Sequence, residues 1–279
     1  MATRNFTGTD GNWANTANWS GGAIPVDGDD VIFPGNISQS LTTNLDRTGD
    51  TAGDGLNLNS IYVHPDFGGE IGTAASPLKC LVGSAATSSI RHYGSQPFYY
   101  NAEQGTGSND TKHIHIVSRN ASNAMTIGGD ENIENIFVAR GGYTISNTGT
   151  ILALHQSFVF NRLADTVGTI EAGANQITLI NMTGGILNQA EIATGAFTVI
   201  NGGKLIFTDA SGAIFFIGPN GILDHRGGGT ITEIHNMGRL IFSNSSLETT
   251  VTSLYRHSGS HIDYDSQLVT ITNDYPGGV

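Results

Sequence analysis

The densest group of side chains able to do acid–base chemistry is Asp224-His225-Arg226, followed at similar places in later repeats by His235 and Arg256-His257. Such a set could cleave or recognise a saccharide if a second carboxylate converged on it, because a glycosidase needs two carboxyls roughly 5–9.5 Å apart. Glu171 is the candidate. It follows Gly168 by three places, as Asp224 follows Gly221, but Asn188 and Ile206 hold the same offset in the intervening repeats. Three strand spacings separate the two acids by ~14 Å. The group is therefore expected to be solvated turns stacked along one edge, and no catalytic residue is assigned.

Metal chemistry fares no better. In Lys112-His-Ile-His-Ile-Val117 the alternation puts His113 and His115 on one face of a strand and Ile114 and Ile116 on the other. Two histidines so placed can share a metal, but no second cluster with ligand spacing supplies the remaining positions, so an outward polar row is expected. Asp46, Asp50 and Asp54 lack the alternating oxygen ligands and terminal bidentate acid of a calcium loop and read as a solvated turn. Cys80 stands alone and reads as a buried thiol. No nucleophile elbow, zinc-protease helix, Walker loop or dinucleotide fingerprint occurs, and neither cofactor nor metal is expected.

What must position these residues is a repeat. Gly149-Thr-Ile151, Gly168-Thr-Ile170, Gly185-Ile-Leu187, Gly203-Lys-Leu205, Gly221-Ile-Leu223 and Gly238-Arg-Leu240 recur at nearly constant intervals, and a looser Gly259-Ser-His-Ile262 closes the series after a slightly longer one. The period, about 18 residues, is too short for the common helical repeats. An apolar residue at one place in every copy is what stacked coils need, since a single coil cannot bury its inward face. The expected fold is all-β, a single-stranded β-solenoid (β-helix) with ~18-residue coils.

Composition narrows the function classes. The chain of 279 residues has 38 glycines, 13% charged residues and a formal charge of −12, with only three lysines. No basic face is left for phosphates, so nucleic-acid binding is not expected. Anionic lipid is repelled and no apolar run approaches the ~20 residues of a membrane span. The opening Met1-Ala-Thr-Arg-Asn-Phe-Thr-Gly8 has no apolar core segment, so no signal peptide is expected.

Residues 1–45 differ in style from the rest. Both tryptophans, Trp13 and Trp19, lie in Gly11-Asn-Trp13-Ala-Asn-Thr-Ala-Asn-Trp19-Ser-Gly-Gly-Ala-Ile-Pro25-Val-Asp-Gly-Asp-Asp-Val31-Ile-Phe33, each preceded by Asn. This phrase resembles the Asn-Trp, Gly, Pro, Gly-Asp, apolar opening of many β-helical proteins, among them bacterial autotransporter passengers and phage virion proteins. The resemblance implies a β-helical start. An open solenoid end exposes strand edges and core, and two tryptophans are large enough to cover them. The expected organisation is a cap or anchor segment at 1–45, irregular coils at 46–148 and a regular solenoid at 149–279. Within the irregular part, residues 93–110, with Gln96-Pro-Phe98-Tyr99-Tyr100 beside a Gly-rich loop, are expected to leave the solenoid as an excursion.

These readings converge on a non-enzymatic virion protein, a capsid decoration or cement protein of a bacteriophage located on the capsid surface. Its expected partners are the major capsid protein or other virion proteins and two further copies in a homotrimer. About seven coils at ~4.8 Å reach only ~34 Å, which suits a clamp on a shell better than a fibre. Trp13, Trp19, Phe98, Tyr99 and Tyr100 are the expected partner contacts. The competing expectations are a short tail spike, fibre or adhesin that binds surface glycans, and, further off, a polysaccharide-degrading enzyme.

Overall fold

Short runs in which every second residue is apolar, separated by Gly, Pro, Asn and Ser, form strands and leave little for helix. The computed structural model describes residues 1–50, 54–103, 110–157, 167–171, 177–189, 196–208, 213–264 and 267–277. Among them no α-helix occurs, a 3-10 turn at Thr16–Asn18 being the helical element, and no helix is long and apolar enough to cross a membrane. The chain winds into a parallel β-solenoid of about nine turns with coils of ~20 residues, divided into two compact units, Met1–Ile151 and Leu152–Val279.

The first unit contains β1 (Thr3–Asn5), β2 (Asp30–Phe33), β3 (Asn57–Leu58), β4 (Ser60–Val63), β5 (Leu78–Val82), β6 (Ser89–His92), β7 (Phe98–Ala102), β8 (Thr111–Val117), β9 (Met125–Gly129), β10 (Ile133–Arg140) and β11 (Tyr143–Ile145). They pair in parallel as two series, β1-β2-β4-β6-β8-β10 and β3-β5-β7-β9-β11. In the first series Val31, Ile61, Ile90, Ile114 and Ile136 stack into one buried column at intervals that shorten along the chain. The lengthened early coils explain why no constant period is visible there. In the second series Leu78, Tyr100, Ile127 and Ile145 form another column.

The start of this unit is covered by an aromatic lid. Trp13 and Trp19 are buried with ring centroids 4.8 Å apart, and Trp19, Phe6, Phe33 and Phe67 continue the contact at 5.3–5.6 Å. The asparagine before each Trp holds the loop in shape. Asn18 is fully buried and donates from Nδ2 to Asp10 Oδ1 (2.6 Å) and Asn12 O (2.7 Å), while Asn12 Oδ1 accepts from Ala14 N at 3.0 Å. Trp19 Nε1 donates to Trp13 O at 2.8 Å.

The second unit holds all but the first residue of β12 (Ile151–Gln156), then β13 (Val167–Ile170), β14 (Ile177–Gln189), β15 (Phe197–Phe207), β16 (Ile214–His225), β17 (Gly229–Asn236), β18 (Arg239–Ile241), β19 (Thr249–Arg256), β20 (His261–Asp263) and β21 (Val269–Pro276). Here the repeat is regular. Leu187, Leu205, Leu223, Leu240 and Ile262 stack in register as the ladder requires. The glycines two places before Leu205, Leu223 and Leu240 have a steric cause. A Cβ at Gly221 would lie 2.0 Å from Ile200 O, and Gly203, at φ +81°, would place one 2.5 Å from Gly185 O. Neighbouring coils thus approach too closely at this corner for any side chain.

One copy departs from the expected alignment. Gly168 pairs with Leu187 and Ile170 with Gln189, two places out of step with the other copies. A shift of two preserves the strand's inward–outward parity, so Ile170 still points into the core. The inward column Ile180, Thr198, Phe215, Ile234, Leu254 changes character in the last described strand, where Asp274 takes the place. Asp274 is bound by Arg256, whose Nε and Nη2 donate at 2.8 and 2.5 Å.

Leu205 lies at the middle of the ladder with no exposed surface. Leu205→Asp places an unpaired charge in that column at a cost of several kcal/mol, comparable with a whole domain's stability. The expected outcome is loss of the cooperative melting transition in far-UV circular dichroism, whereas Leu205→Met retains it.

Candidate functional site

Asp224 sits near the end of β16, where the sequence suggests a solvated turn. The structure corrects this: the Asp224 and His225 side chains are both fully buried. His225 points inward beneath Phe207, its paired neighbour, and its ring lies 5.5 Å from Phe207 and 5.6 Å from Phe242. Truncating it to Ala would open a core cavity, so the expectation that His225 lies on a solvated edge fails. Asp224 lies under a polar roof. Lys204 Nζ is 2.7 Å from Oδ2, Arg226 Nη2 donates to Oδ2 at 2.8 Å, and Asn244 Nδ2 donates to Oδ1 at 2.9 Å. Burial pushes the carboxyl up, but the hydrogen bonds from Arg226, Lys204 and Asn244 outweigh it and hold the pKa at about 2.

A carboxylate so held stays anionic at neutral pH and ties Lys204, Arg226 and Asn244 to its coil. The register confirms that Glu171 cannot assist it. Thr169, Asn188, Ile206 and Asp224 share one column, so Glu171, two places beyond Thr169, is three coils away.

His113 and His115 occupy the outward face of β8, as alternation requires. His115 stacks on Phe137 at 4.9 Å and 14°, and Asn135 Nδ2 lies 3.4 Å from His113 Nδ1. No three His, Cys, Asp or Glu among the described residues are arranged to hold a metal ion. Asp46 accepts from Thr48 at both N and Oγ1, and Asp50 is gripped by Arg47 at 2.6 Å, so these acids serve their own turn. Cys80 is fully buried, and desolvation pushes its thiol far up.

The expected partner contacts are redistributed. Trp13, Trp19, Phe98 and Tyr100 are buried in the core of the first unit and offer no ring to a partner. Phe98–Ala102 is strand β7, paired with β5 and β9, so this stretch is part of the solenoid and not an excursion from it. Tyr100 is held there by its hydroxyl, which donates to Cys80 O at 3.0 Å and lies 2.6 Å from Thr111 Oγ1. Tyr99, alternating outward, is half-buried and accepts from Asn123 Nδ2 at 3.2 Å. The Gly-rich loop at 104–109 lies outside the described residues.

Two surfaces emerge that the sequence reading passed over. On the second unit, the outward positions of β14, β15 and β16 bring together Leu179, Phe197, Val199, Ile214 and Phe216 without a charge among them. Phe197 is 47% exposed. From Phe216 the same outward column continues through His235, Tyr255 and Tyr275, with ring centroids 4.6, 4.4 and 4.6 Å apart and planes within 10°. The Phe216, His235 and Tyr255 rings are covered by their neighbours in the stack, while Tyr275, at its end, is 44% exposed. Their recurrence once per coil, at positions 216, 235, 255 and 275, was a readable signal. The other surface, around Arg91, depends on the uneven coils of the first unit and has no such signature.

No protein family, curated protein or solved structure matches the chain.

Two buried groups make the stability pH-dependent in separable windows. His92 stands in the inward column between Val63 and Ile116, and desolvation lowers its pKa from 6.5 to about 4, offset only in part by backbone groups of Ala124 and Gln96. The unfolded chain therefore takes up a proton that the folded chain refuses. Stability present above pH 6.5 falls by up to about 3 kcal/mol as pH drops towards 4. His92→Leu is expected to flatten this part of a urea-denaturation pH series relative to wild type. Asp224 acts lower: its contribution is lost only as pH falls from 3.8 towards 2. Asp224→Asn is expected to fold, with melting lowered by several degrees at pH 7 and the difference from wild type shrinking below pH 3.

Proposed function

We propose that this chain is a non-enzymatic structural protein of a virus particle, a capsid decoration protein that binds the outside of the shell and stabilises it. The observation that carries the reading is the uncharged apolar face formed by Leu179, Phe197, Val199, Ile214 and Phe216 on a protein of net charge −12. Exposed contiguous apolar surface on an otherwise polar protein marks an interaction site. A flat, rigid β-face suits a shell whose binding surface is itself fixed. The partners in this reading are the major capsid protein or another virion protein, with the decorating copies arranged as a homotrimer.

The polar groups favour the same role. Asp224, the single acid of the sequence's richest polar cluster, is neutralised by Lys204 and Arg226 and stabilises its coil. A protein that binds only the assembled shell raises the free energy of disassembly by mass action, and no chemistry is required of it. A second reading, a short tail spike or adhesin that binds glycans, draws support from the outward face around Arg91.

Phe197→Glu puts a charge at the centre of the apolar face while leaving the core untouched. It is expected to weaken binding to capsids stripped of this protein at least tenfold, with an unchanged circular dichroism spectrum. Re-decorated capsids are expected to withstand heating that ruptures stripped ones. Equal rupture temperatures, or full binding by Phe197→Glu, would remove the support for this reading.

A further inference from the structure

We propose that the outward face of β4, β6 and β8, centred on Arg91, is a binding site for a monocarboxylated sugar. The register places Tyr62, Arg91, His115 and Phe137 in one outward column, with Ser60, Ser89, His113 and Asn135 in the column beside it. In-register neighbours of a parallel stack are ~4.8 Å apart, so the Arg91 side chain is flanked by the Tyr62 and His115 rings along its column, with His113 diagonal to it.

Arg91 is set apart from most cations of this acidic protein. Eight described lysines and arginines, at 4, 47, 79, 112, 204, 226, 239 and 256, have a carboxylate within 4.0 Å. Arg91 is exposed and no described carboxylate lies within that distance. The two acids nearest in the grid are already occupied. Asp30 accepts from Asn59 Nδ2 at 2.7 Å and Ser60 Oγ at 2.6 Å, and Glu134 is paired with Lys112 at 2.5 Å. A guanidinium left open in this way offers a planar fork that fits one carboxylate bidentately.

The surroundings select the rest of the ligand. A groove of about 250 Å³ is lined by Arg91 together with Asn59, Ser60, Ile61, Tyr62, Thr87 and Ser89, of which all but Ile61 carry polar groups at their tips. That volume is below the ~300–1,000 Å³ of drug-sized sites and admits about one ring. With Asn59 and Ser60 engaged by Asp30, the Tyr62, Thr87 and Ser89 hydroxyls are the groups that suit a polyhydroxylated ring, and Tyr62 and Tyr93, with centroids 5.6 Å apart, add aromatic surface at its margin. The net charge of −12 repels polyanions, so nucleic acid and heavily sulfated chains are disfavoured while a lone carboxylate on a neutral glycan is not.

This site is independent of the capsid docking proposed above, and its test uses the isolated full chain. Ligand-observed NMR titration at pH 7 with N-acetylneuraminic acid, glucuronic acid and the neutral methyl ester of glucuronic acid reads binding directly. Saturable binding of at least one acid is expected at a Kd of about 1 mM, with the ester at least tenfold weaker. Arg91→Gln is expected to weaken the acid at least tenfold while melting at the wild-type temperature, and the exposed Arg119→Gln serves as a control that keeps wild-type affinity. Absence of saturable binding by either acid up to about 20 mM overturns the proposal. So does equal affinity for acid and ester, or an Arg91→Gln variant that binds as wild type does.

Discussion

The constraint on which everything else depends is that a coil of this chain cannot satisfy itself. Many of its strands are very short, and their N–H and C=O groups find partners only in the coil before and the coil after. Half of its side chains point inward and gain burial only when another coil covers them. Stacking at ~4.8 Å answers both needs at once, and it does so only if like residues meet like. The columns Leu187–Leu205–Leu223–Leu240 and Val31–Ile61–Ile90–Ile114–Ile136 are the result. The same geometry makes the outward face a grid, so that any residue type repeated at the right interval becomes a surface, apolar on β14–β16 and cationic–aromatic around Arg91.

How much of this was legible in the sequence followed the regularity of the coils. Where successive coils are nearly equal in length, the glycine ladder disclosed both fold and register, because the close approach at Gly203 and Gly221 forbids any other residue. The Gly168 copy resembles the others in spelling and still pairs two places away, since parity, not spelling, is what the core enforces. In the first unit, where the stacked positions 31, 61, 90, 114 and 136 are unevenly spaced, irregular coils could be expected but which residues stack on which was hidden. Phe98-Tyr99-Tyr100 therefore looked like a loop cluster, although alternation along β7 buries the first and third and turns only Tyr99 outward.

The polar residues tell a related story about local context. Asp224 and His225 lie in a sequence rich in Asp, His, Arg and Gly, which reads as a turn. The structure buries both because β16 extends to His225 and because Lys204, one coil earlier, supplies the counter-charge. A cation one coil away is invisible to any reading that looks only at neighbours in sequence. Arg91 is the converse case, a residue without a motif whose significance arises from what the adjoining coils do not contain.

The pairing of Arg256 with Asp274 bears on a hazard specific to this architecture. A stack of parallel strands has no intrinsic stopping point, and its last strand is a template onto which an identical chain could add, as in fibril growth. Apolar columns carried through to that strand would make such addition favourable. Here an incoming strand would have to strip water from two partly exposed charges and cover them with its own core, at several kcal/mol per ion. Whatever packs onto β21, a further coil or a second chain, must therefore bring polar partners for this pair at the position that apolar Ile234 and Leu254 hold in the preceding coils.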